Sequence, residues 1–209
     1  MKKFFWCGAL AFLVACGGKL TTTNDNEPEP DAETLPPSSD AACENSVDAS
    51  CGASTESLDA WSLGGSAPSS YQAGFDSTTT CNGEASLRLA SSTASPNDFG
   101  EMGRDRAPAS WLGHRVRLSG WVRTSAVTGW AGLWMRVDSA QSTGIAFDNM
   151  QCRAITGTTD WTRYEVVLDV ATNATNVAYG VLLAGQGSVW LDDVSLDVVD
   201  ACEATTSCP

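Results

Sequence analysis

Residues 115–123 read RVRLSGWVR, and this stretch decides the fold class. Its apolar residues recur at every second position, which is the period of a strand with one buried face. Residues 131–138 (AGLWMRVD) and 162–170 (TRYEVVLDV) repeat the alternation, whereas 176–184 and 188–199 are more uniformly apolar, as buried strands are. The pattern predicts a series of short strands, and the chain contains no convincing amphipathic helix pattern.

Turn-forming residues separate these runs. The sequence Gly185-Gln186-Gly187 predicts a hairpin turn between the last two strands, and residues 156–160 (TGTTD) predict another turn. A region of about 140 residues of antiparallel strands favours two packed sheets over an open one. We therefore predict an all-β fold, a two-sheet antiparallel β-sandwich of jelly-roll type that buries a sufficient core without metals or disulfides.

The N-terminus has the pattern of an export signal. Two lysines precede an apolar run at 4–14 that is too short to span a bilayer as a helix. The residues that follow, LVACG at 13–17, resemble the bacterial lipobox. That resemblance implies that Cys16 becomes the first residue and carries acyl chains such as palmitate. Gly17 stands where an inner-membrane retention Asp would be, which favours the outer membrane. The alternatives are an ordinary secretory signal or a short buried helix.

The composition divides the chain into four segments. We assign 1–15 to the signal peptide and 16–57 to the lipidated Cys16 with a disordered, acidic, Pro-rich tether, because this stretch has almost no large apolar residue to bury. Residues 58–199 form the β-sandwich module, and 200–209 form a C-terminal tail. The tether lifts the module from the membrane, or it is a segment under little constraint.

The charge balance narrows the function. The chain has 12 Lys and Arg against 25 Asp and Glu, for a net charge of -13. This excess argues against a nucleic-acid partner, since such affinity comes from cations that neutralise phosphates. The membrane contact is therefore expected through the lipid rather than through surface charge. His114 is the only histidine, and no G-x-S-x-G, H-E-x-x-H or glycine-rich phosphate motif occurs, so we predict no enzymatic activity.

Several runs resemble a known bacterial module. They are 120–124 (GWVRT), 129–138 (GWAGLWMRVD), 147–151 (FDNMQ), 157–170 (GTTDWTRYEVVLDV), 179–185 (YGVLLAG) and 189–194 (VWLDDV). Together they resemble a jelly-roll module of bacterial lipoproteins, secreted peptidases and the C-terminal ends of some AraC-type regulators. It is similar in fold to carbohydrate-binding modules of the galactose-binding-like superfamily. The resemblance spans 58–199 and implies the fold, but it does not specify a ligand.

Six cysteines remain once Cys7 leaves with the signal and Cys16 takes the lipid. They are Cys43, Cys51, Cys81, Cys152, Cys202 and Cys208. Export to an oxidising compartment favours disulfides over a metal site. Cys81 and Cys152 are the two inside the module, so we pair them. The others form local pairs, Cys43 with Cys51 and Cys202 with Cys208, or else link one tail to the other.

Asp192 is the one candidate metal ligand. The parity of 188–199 puts it on the same face as four apolar residues, so we expect its carboxylate inside or beside the core. A buried carboxylate needs a partner. Related sandwich modules often hold a structural calcium near the last strand, which is one option here. An arginine or backbone N–H donors are the other options.

The same parity assigns a core and an outer face. The inward side chains should be Val116, Leu118, Val122, Leu133, Met135, Val137, Tyr164, Val166 and Leu168. The outward side chains then include Arg117, Trp121 and Arg123 on one strand and Trp134 and Arg136 on the next. If these strands are antiparallel neighbours, they gather two indoles and their guanidiniums on one sheet face. Such a face suits a sugar, because indole stacks on C–H groups and arginine binds hydroxyls or carboxylates.

Two functions follow from these patterns. The first is a lipid-anchored binding module of the cell envelope, without catalysis and with a glycan as its ligand. The second is a structural or protein-interaction lipoprotein of the outer membrane, in which loops cover the Arg–Trp face and cation–π contacts are ordinary packing. A groove on one sheet face would favour the first.

Overall fold

The computed structural model describes residues 50–52, 60–83 and 85–207. Within them the chain forms nine strands and two short 3-10 helices, Pro68–Ser70 and Gln151–Arg153. The strands are β1 (Ser62–Gly64), β2 (Tyr71–Asp76), β3 (Ser86–Ser91), β4 (Phe99–Arg106), β5 (Arg115–Ser139), β6 (Ala146–Asp148), β7 (Ile155–Asp169), β8 (Ala174–Ala184) and β9 (Ser188–Val199). The all-β prediction is confirmed. No helix in this described part is both long and apolar enough to cross a membrane.

The strands form two antiparallel sheets that share β5. The front sheet has the order β1-β4-β8-β5-β6 and uses the second half of β5. The back sheet has the order β2-β3-β9-β5-β7 and uses the first half. Both inner faces contribute to one apolar core. The predicted two-sheet sandwich is confirmed, with one long strand connecting its sheets.

The strand β5 is one long strand where the sequence predicted two. Residues 115–123 and 131–138 are two halves of one strand, not two neighbouring strands. Between them the register with β7 shifts repeatedly, and Ala126 has a φ of 54°. The inward positions change there from even to odd numbers. A strand that passes from one sheet to the other must break its alternation, and that break looks like a turn in the sequence.

Two predicted turns also differ from the structure. Residues 156–160 belong to β7, where Gly157 has a φ of 72° beside the register shifts. Residues 185–187 do form a turn, with positive φ at both glycines. It connects β8 in the front sheet with β9 in the back sheet, so it is not a hairpin. Glycine-rich turns serve both connections, and the local sequence does not distinguish them.

The predicted core is confirmed. Leu118 and Leu133 are 0% exposed, and the other inward side chains are buried except the half-buried Tyr164. Strand alternation was sufficient to identify these positions because the inner face of each half of β5 meets the opposite sheet.

The disulfide pattern differs from the prediction. Cys81 pairs with Cys51, at a Cα–Cα distance of 5.9 Å, so the predicted Cys81–Cys152 and Cys43–Cys51 pairs are wrong. Cys152 and Cys202 are also disulfide-bonded. Cys43 and Cys208 lie outside the described residues, as does Cys16. The error has a physical origin, since Cys51 looks like part of a tether but lies against the module.

Both ends of the described chain are held on the back sheet. At the N-terminal end, the Gly52 N–H donates to Asp193 Oδ2 at 2.7 Å. At the C-terminal end, the Thr206 N–H donates to the Val167 carbonyl at 2.8 Å, and the Val167 N–H donates to Thr206 Oγ1. The C-terminal tail thus satisfies backbone groups of β7, which would otherwise form a free sheet edge.

Candidate functional site

The structure separates the five candidate ligand residues. Trp134 and Arg136 lie on the outer face of the front sheet, whereas Arg117, Trp121 and Arg123 belong to the half of β5 in the back sheet. The expectation of one face with two indoles and their guanidiniums is therefore wrong. That expectation assumed that the residues lie on two neighbouring strands, but they lie on one strand, β5, which takes part in both sheets. Whether each residue binds a ligand stays a prediction.

A groove crosses the outer face of the front sheet. Its volume is about 320 Å³. Five strands or the segments beside them contribute its lining, which consists of Gly65, Phe99, Glu101, Trp130, Trp134, Arg136, Phe147, Asn149 and Leu182. The lining is mostly aromatic and apolar with a few polar groups, as small-molecule sites usually are.

Trp134 forms the floor of the groove because two glycines leave room for its ring. Gly180 of β8 lies opposite Trp134 of β5, and Gly103 of β4 lies opposite Gly180. A Cβ at Gly103 would be 2.6 Å from Cζ2 of Trp134, so the indole lies directly over this glycine. Trp134 is only 5% exposed, which contradicts its predicted exposure. It is buried by Ala178, Leu182 and the other side chains of its own sheet face.

The walls of the groove come from residues that the sequence reasoning missed. Trp130 and Phe99 flank Ala184 at one end and pack against the Trp134 cluster. Phe147 of β6 lies opposite Arg136 and is 49% exposed. Trp130 shares the outward parity of Trp134, which was an available signal. Phe147 had none, because its short strand follows a polar loop.

Arg136 is held in place by an acid outside the groove lining. Its Nε and Nη2 donate to the two carboxylate oxygens of Asp138 at 2.9 and 3.0 Å. Asp138 also accepts from the Gly144 N–H and from Asn176. Burial alone would raise the pKa of Asp138, but these hydrogen bonds outweigh burial and hold it below its usual value. The pair raises the pKa of Arg136 through the Asp138 hydrogen bond, so both groups are charged.

Glu101 is the other ionisable residue of the groove, and no sequence pattern singled it out as a binding residue. It lies opposite Gly64 of β1, where a Cβ would be 3.0 Å from Glu101 Oε1. Burial raises the pKa of Glu101 above its usual value, and the nearby Arg136 only partly opposes this. Within the described residues the carboxylate has no hydrogen bond or ion pair. A half-buried carboxylate without a protein partner relies on water or on a ligand for its hydrogen bonds.

A second, smaller pocket of about 90 Å³ adjoins the groove. Glu101, Trp134 and Arg136 line both cavities, and Arg104 and Asp105 add charge to the smaller one. The outer face of the front sheet therefore has an aromatic region and a polar region that meet at Glu101.

The outer face of the back sheet shows the packing alternative instead. Trp190 lies between Arg88 and Arg123 in register, and the Arg88 guanidinium stands 5.7 Å from the centre of the Trp190 ring. Trp121 lies opposite Arg163, which pairs with Glu165. Arg117 forms an ion pair with Glu203 of the C-terminal tail. Stacking and ion pairs account for most of these side chains.

Asp192 lies beside the core, as predicted, with 5% of its surface exposed. Its Oδ2 accepts from the Cys81 N–H at 2.8 Å, and its Oδ1 accepts from the Asp193 N–H. Backbone donors are thus among its partners, which was one of the options. The described residues contain no cluster of three or more His, Cys, Asp or Glu side chains arranged for a metal. A structural calcium at Asp192 stays a prediction.

The chain is similar in sequence to a known regulator. No family model matches the chain. An uncharacterized HTH-type transcriptional regulator of Bacillus subtilis (strain 168), YbfP, is 40% identical over 148 residues. The match covers 70% of this chain and 50% of the regulator, so the chain spans about half the length of the curated relative it matches. This agrees with the resemblance to modules carried by some regulators.

Solved structures show the same architecture. The CBM22-1-GH10 modules of Clostridium thermocellum xylanase Xyn10B, complexed with xylohexaose, superpose with a TM-score of 0.50 at 15% identity, over 71% of this chain and 28% of that one. The CBM22-1 xylan-binding domain of Paenibacillus barcinonensis Xyn10C gives a TM-score of 0.48 at 16% identity, over 74% and 93%. The likeness to the Clostridium thermocellum structure shows a shared β-sandwich fold.

Proposed function

We propose that this protein is a non-catalytic, glycan-binding module displayed in the cell envelope on a lipid anchor. The groove on the front sheet is the observation that carries the proposal. It combines a buried indole floor, three further aromatic rings and a carboxylate without a partner in the described part of the chain.

The groove chemistry suits a sugar better than a purely apolar ligand. Aromatic rings offer flat surfaces to the C–H faces of a pyranose, and polar groups at the rim fix its hydroxyls. Trp130 and Phe147 supply partly exposed rings, while Glu101, Arg136 and Asn149 supply hydrogen-bonding groups. The CBM22-1-GH10 modules of a xylanase, whose structure superposes with this fold, are complexed with xylohexaose, and this likeness supports a glycan as the class of ligand.

The first experiment is a glycan array, followed by calorimetric titration of the hits, on the chain from residue 50 onward, read with calcium and with a chelator. We expect binding that Trp130→Ala reduces at least about tenfold, because the stacking wall of the groove is lost. Phe75→Ala is the matched control, since it removes an exposed aromatic ring from β2 of the back sheet. Equal loss in both variants, or binding to no glycan, would reject the groove as a sugar site. Loss of all binding on chelation would support the predicted calcium.

The lipid anchor rests on the lipobox at 13–17 and is tested separately. In the export host, Cys16→Ser should abolish labelling with palmitate and release the protein from membranes or leave it as an uncleaved precursor. A Cys16→Ser protein that still sediments with membranes and still takes up palmitate would disprove lipidation at this position. A net charge of -13 provides no electrostatic attachment to anionic lipids, so surface charge would not account for membrane binding of the Cys16→Ser protein.

The second candidate is a protein-interaction module, and one observation favours it. Phe147 in the groove wall and Ile145, two residues before it, are exposed apolar residues, 49% and 40% accessible. A protein partner could cover them as well as a sugar could. A negative glycan array, together with an envelope protein that binds the wild type but not Phe147→Ala, would establish this function instead.

A further inference from the structure

We infer that Glu101 makes the front-sheet groove selective for neutral glycans and against acidic ones; this rests on the proposed glycan-binding function.

Among the described residues, the groove lining contains one acid and one base, and only the base is compensated. Arg136 donates from two nitrogens to Asp138, at 2.9 and 3.0 Å, and this pairing neutralises it from outside the lining. Glu101 makes no comparable contact within the described residues. Glu101 forms no ion pair with Arg136, because no Arg136 nitrogen lies within 4.0 Å of a Glu101 carboxylate oxygen. Of the described lining residues, Glu101 therefore carries the charge that no partner compensates.

The charged residues of the neighbouring pocket do not neutralise the negative charge of Glu101. Arg104 and Asp105 line it with opposite charges. Asp105 accepts a hydrogen bond from Asn176 and raises the pKa of Glu101, which is the effect of a like charge. Arg136 acts in the opposite direction on Glu101 but shares its own charge with Asp138. Arg136 and Asp105 are the charged groups that act on Glu101, with opposite effects, and the charge of Arg136 is balanced by Asp138, so the negative charge of Glu101 remains.

The position of Glu101 defines what it can recognise. It stands where the aromatic region meets the polar region, beside Gly64, so its oxygens are clear of β1 side chains. A carboxylate accepts hydrogen bonds through both oxygens and donates none. A ring stacked on Trp130 or Phe147 would direct hydroxyl donors at it. A sugar carboxylate at the same place would meet a like charge in a partly desolvated groove, where screening is weak.

The test uses matched pairs of oligosaccharides that differ at C6, which is a hydroxymethyl group in the neutral member and a carboxylate in the acidic member. The pairs are cellohexaose with its C6-oxidised glucuronate counterpart, and mannohexaose with its mannuronate counterpart. For each neutral probe that binds, we expect the acidic counterpart to bind at least about tenfold more weakly at neutral pH. The ratio of the neutral probe's affinity to the acidic probe's affinity should shrink as salt screens the repulsion. It should also shrink as the pH falls through the raised pKa of Glu101.

The decisive variant is Glu101→Gln, which keeps the shape and removes the charge. It should strengthen binding of the acidic probe and weaken binding of the neutral one, so that the ratio falls at least about tenfold. Asp160→Asn is the control, because it removes one exposed charge on the back sheet. An unchanged ratio in Glu101→Gln, or equal binding of both probe classes to the wild type, overturns the selectivity while glycan binding stands. A wild type that binds no probe of either class, with no hit on the array, removes both proposals.

Discussion

Glu101 illustrates a conflict between stability and binding in one residue. Its folded-state pKa is raised, so the native state holds a proton more tightly than the unfolded chain does. The stability that this provides is present below the usual carboxyl pKa and is lost as the pH rises through the folded value. Ionised Glu101 is therefore unfavourable for folding at neutral pH, and a residue with that property is typical of functional sites.

The first prediction follows from this sign. Glu101→Gln should raise the melting temperature at pH 7 to 8 and have a smaller effect at pH 4, where the wild-type carboxyl is protonated. Thermal unfolding followed by circular dichroism at both pH values measures the difference. A lower melting temperature at neutral pH would mean that Glu101 has a stabilising partner and is not held for a ligand.

In the front sheet, the groove depends on strand positions that carry no side chain. Gly103 and Gly180 form a trough across β4 and β8 in which the Trp134 indole lies. A strand pays an entropic penalty for glycine, so glycines on two adjacent strands need a reason. Here the close approach of the indole supplies it, and the groove floor depends on it.

The second prediction tests this trough. Gly103→Ala places a Cβ about 2.6 Å from Trp134 Cζ2 and should lower the free energy of unfolding by about 1–3 kcal/mol. The displaced indole should also shift the tryptophan emission. Gly74→Ala on β2 is the matched control, because its Cβ meets nothing within 4 Å. Urea denaturation of the three proteins checks this, and equal stabilities would show that the trough is not tightly packed.

The whole molecule depends on carboxylates that are more acidic than usual. Asp148 is buried, and its oxygens accept from the Met150 N–H at 2.8 Å and from Arg153 at 2.9 Å. Burial alone would raise the pKa of Asp148, but hydrogen bonds from Thr206, Met150 and Arg153 lower it. Hydrogen bonds also lower the pKa of Asp76, Asp138 and Asp169. Such groups stabilise the fold above their usual pKa, and this is lost as the pH falls through the folded values.

The third prediction is therefore loss of stability in acid. The free energy of unfolding should decline from about pH 4 downward. Asp148→Asn should cost about 1–3 kcal/mol at pH 7, because its buried hydrogen bonds are weakened. The same variant should show a shallower acid decline than the wild type. Chemical denaturation at pH 7, 4 and 2.5 gives both quantities, and parallel pH curves would exclude Asp148 as a contributor.

The sequence alone was sufficient for the fold class and the core. Alternation at 115–123 and 131–138 identified which side chains face inward, and Leu118 and Leu133 are fully buried as predicted. Side-chain periodicity is local, because it depends only on the pleat of each strand. The composition of 58–199, with short β-branched runs between turn residues, likewise identified a sandwich before any contact was known.

Tertiary structure decided which of these residues meet. The outward positions of β5 were predicted correctly for Arg136 and Arg117, yet they belong to different sheets because the strand crosses between them near Ala126. Cys51 lies outside the predicted module in sequence, yet it pairs with Cys81. The groove combines Phe99, Glu101, Trp130 and Phe147 from three strands. Pairing between distant strands is non-local, so the sequence determined the faces, and only the folded sheet decided which faces form a site.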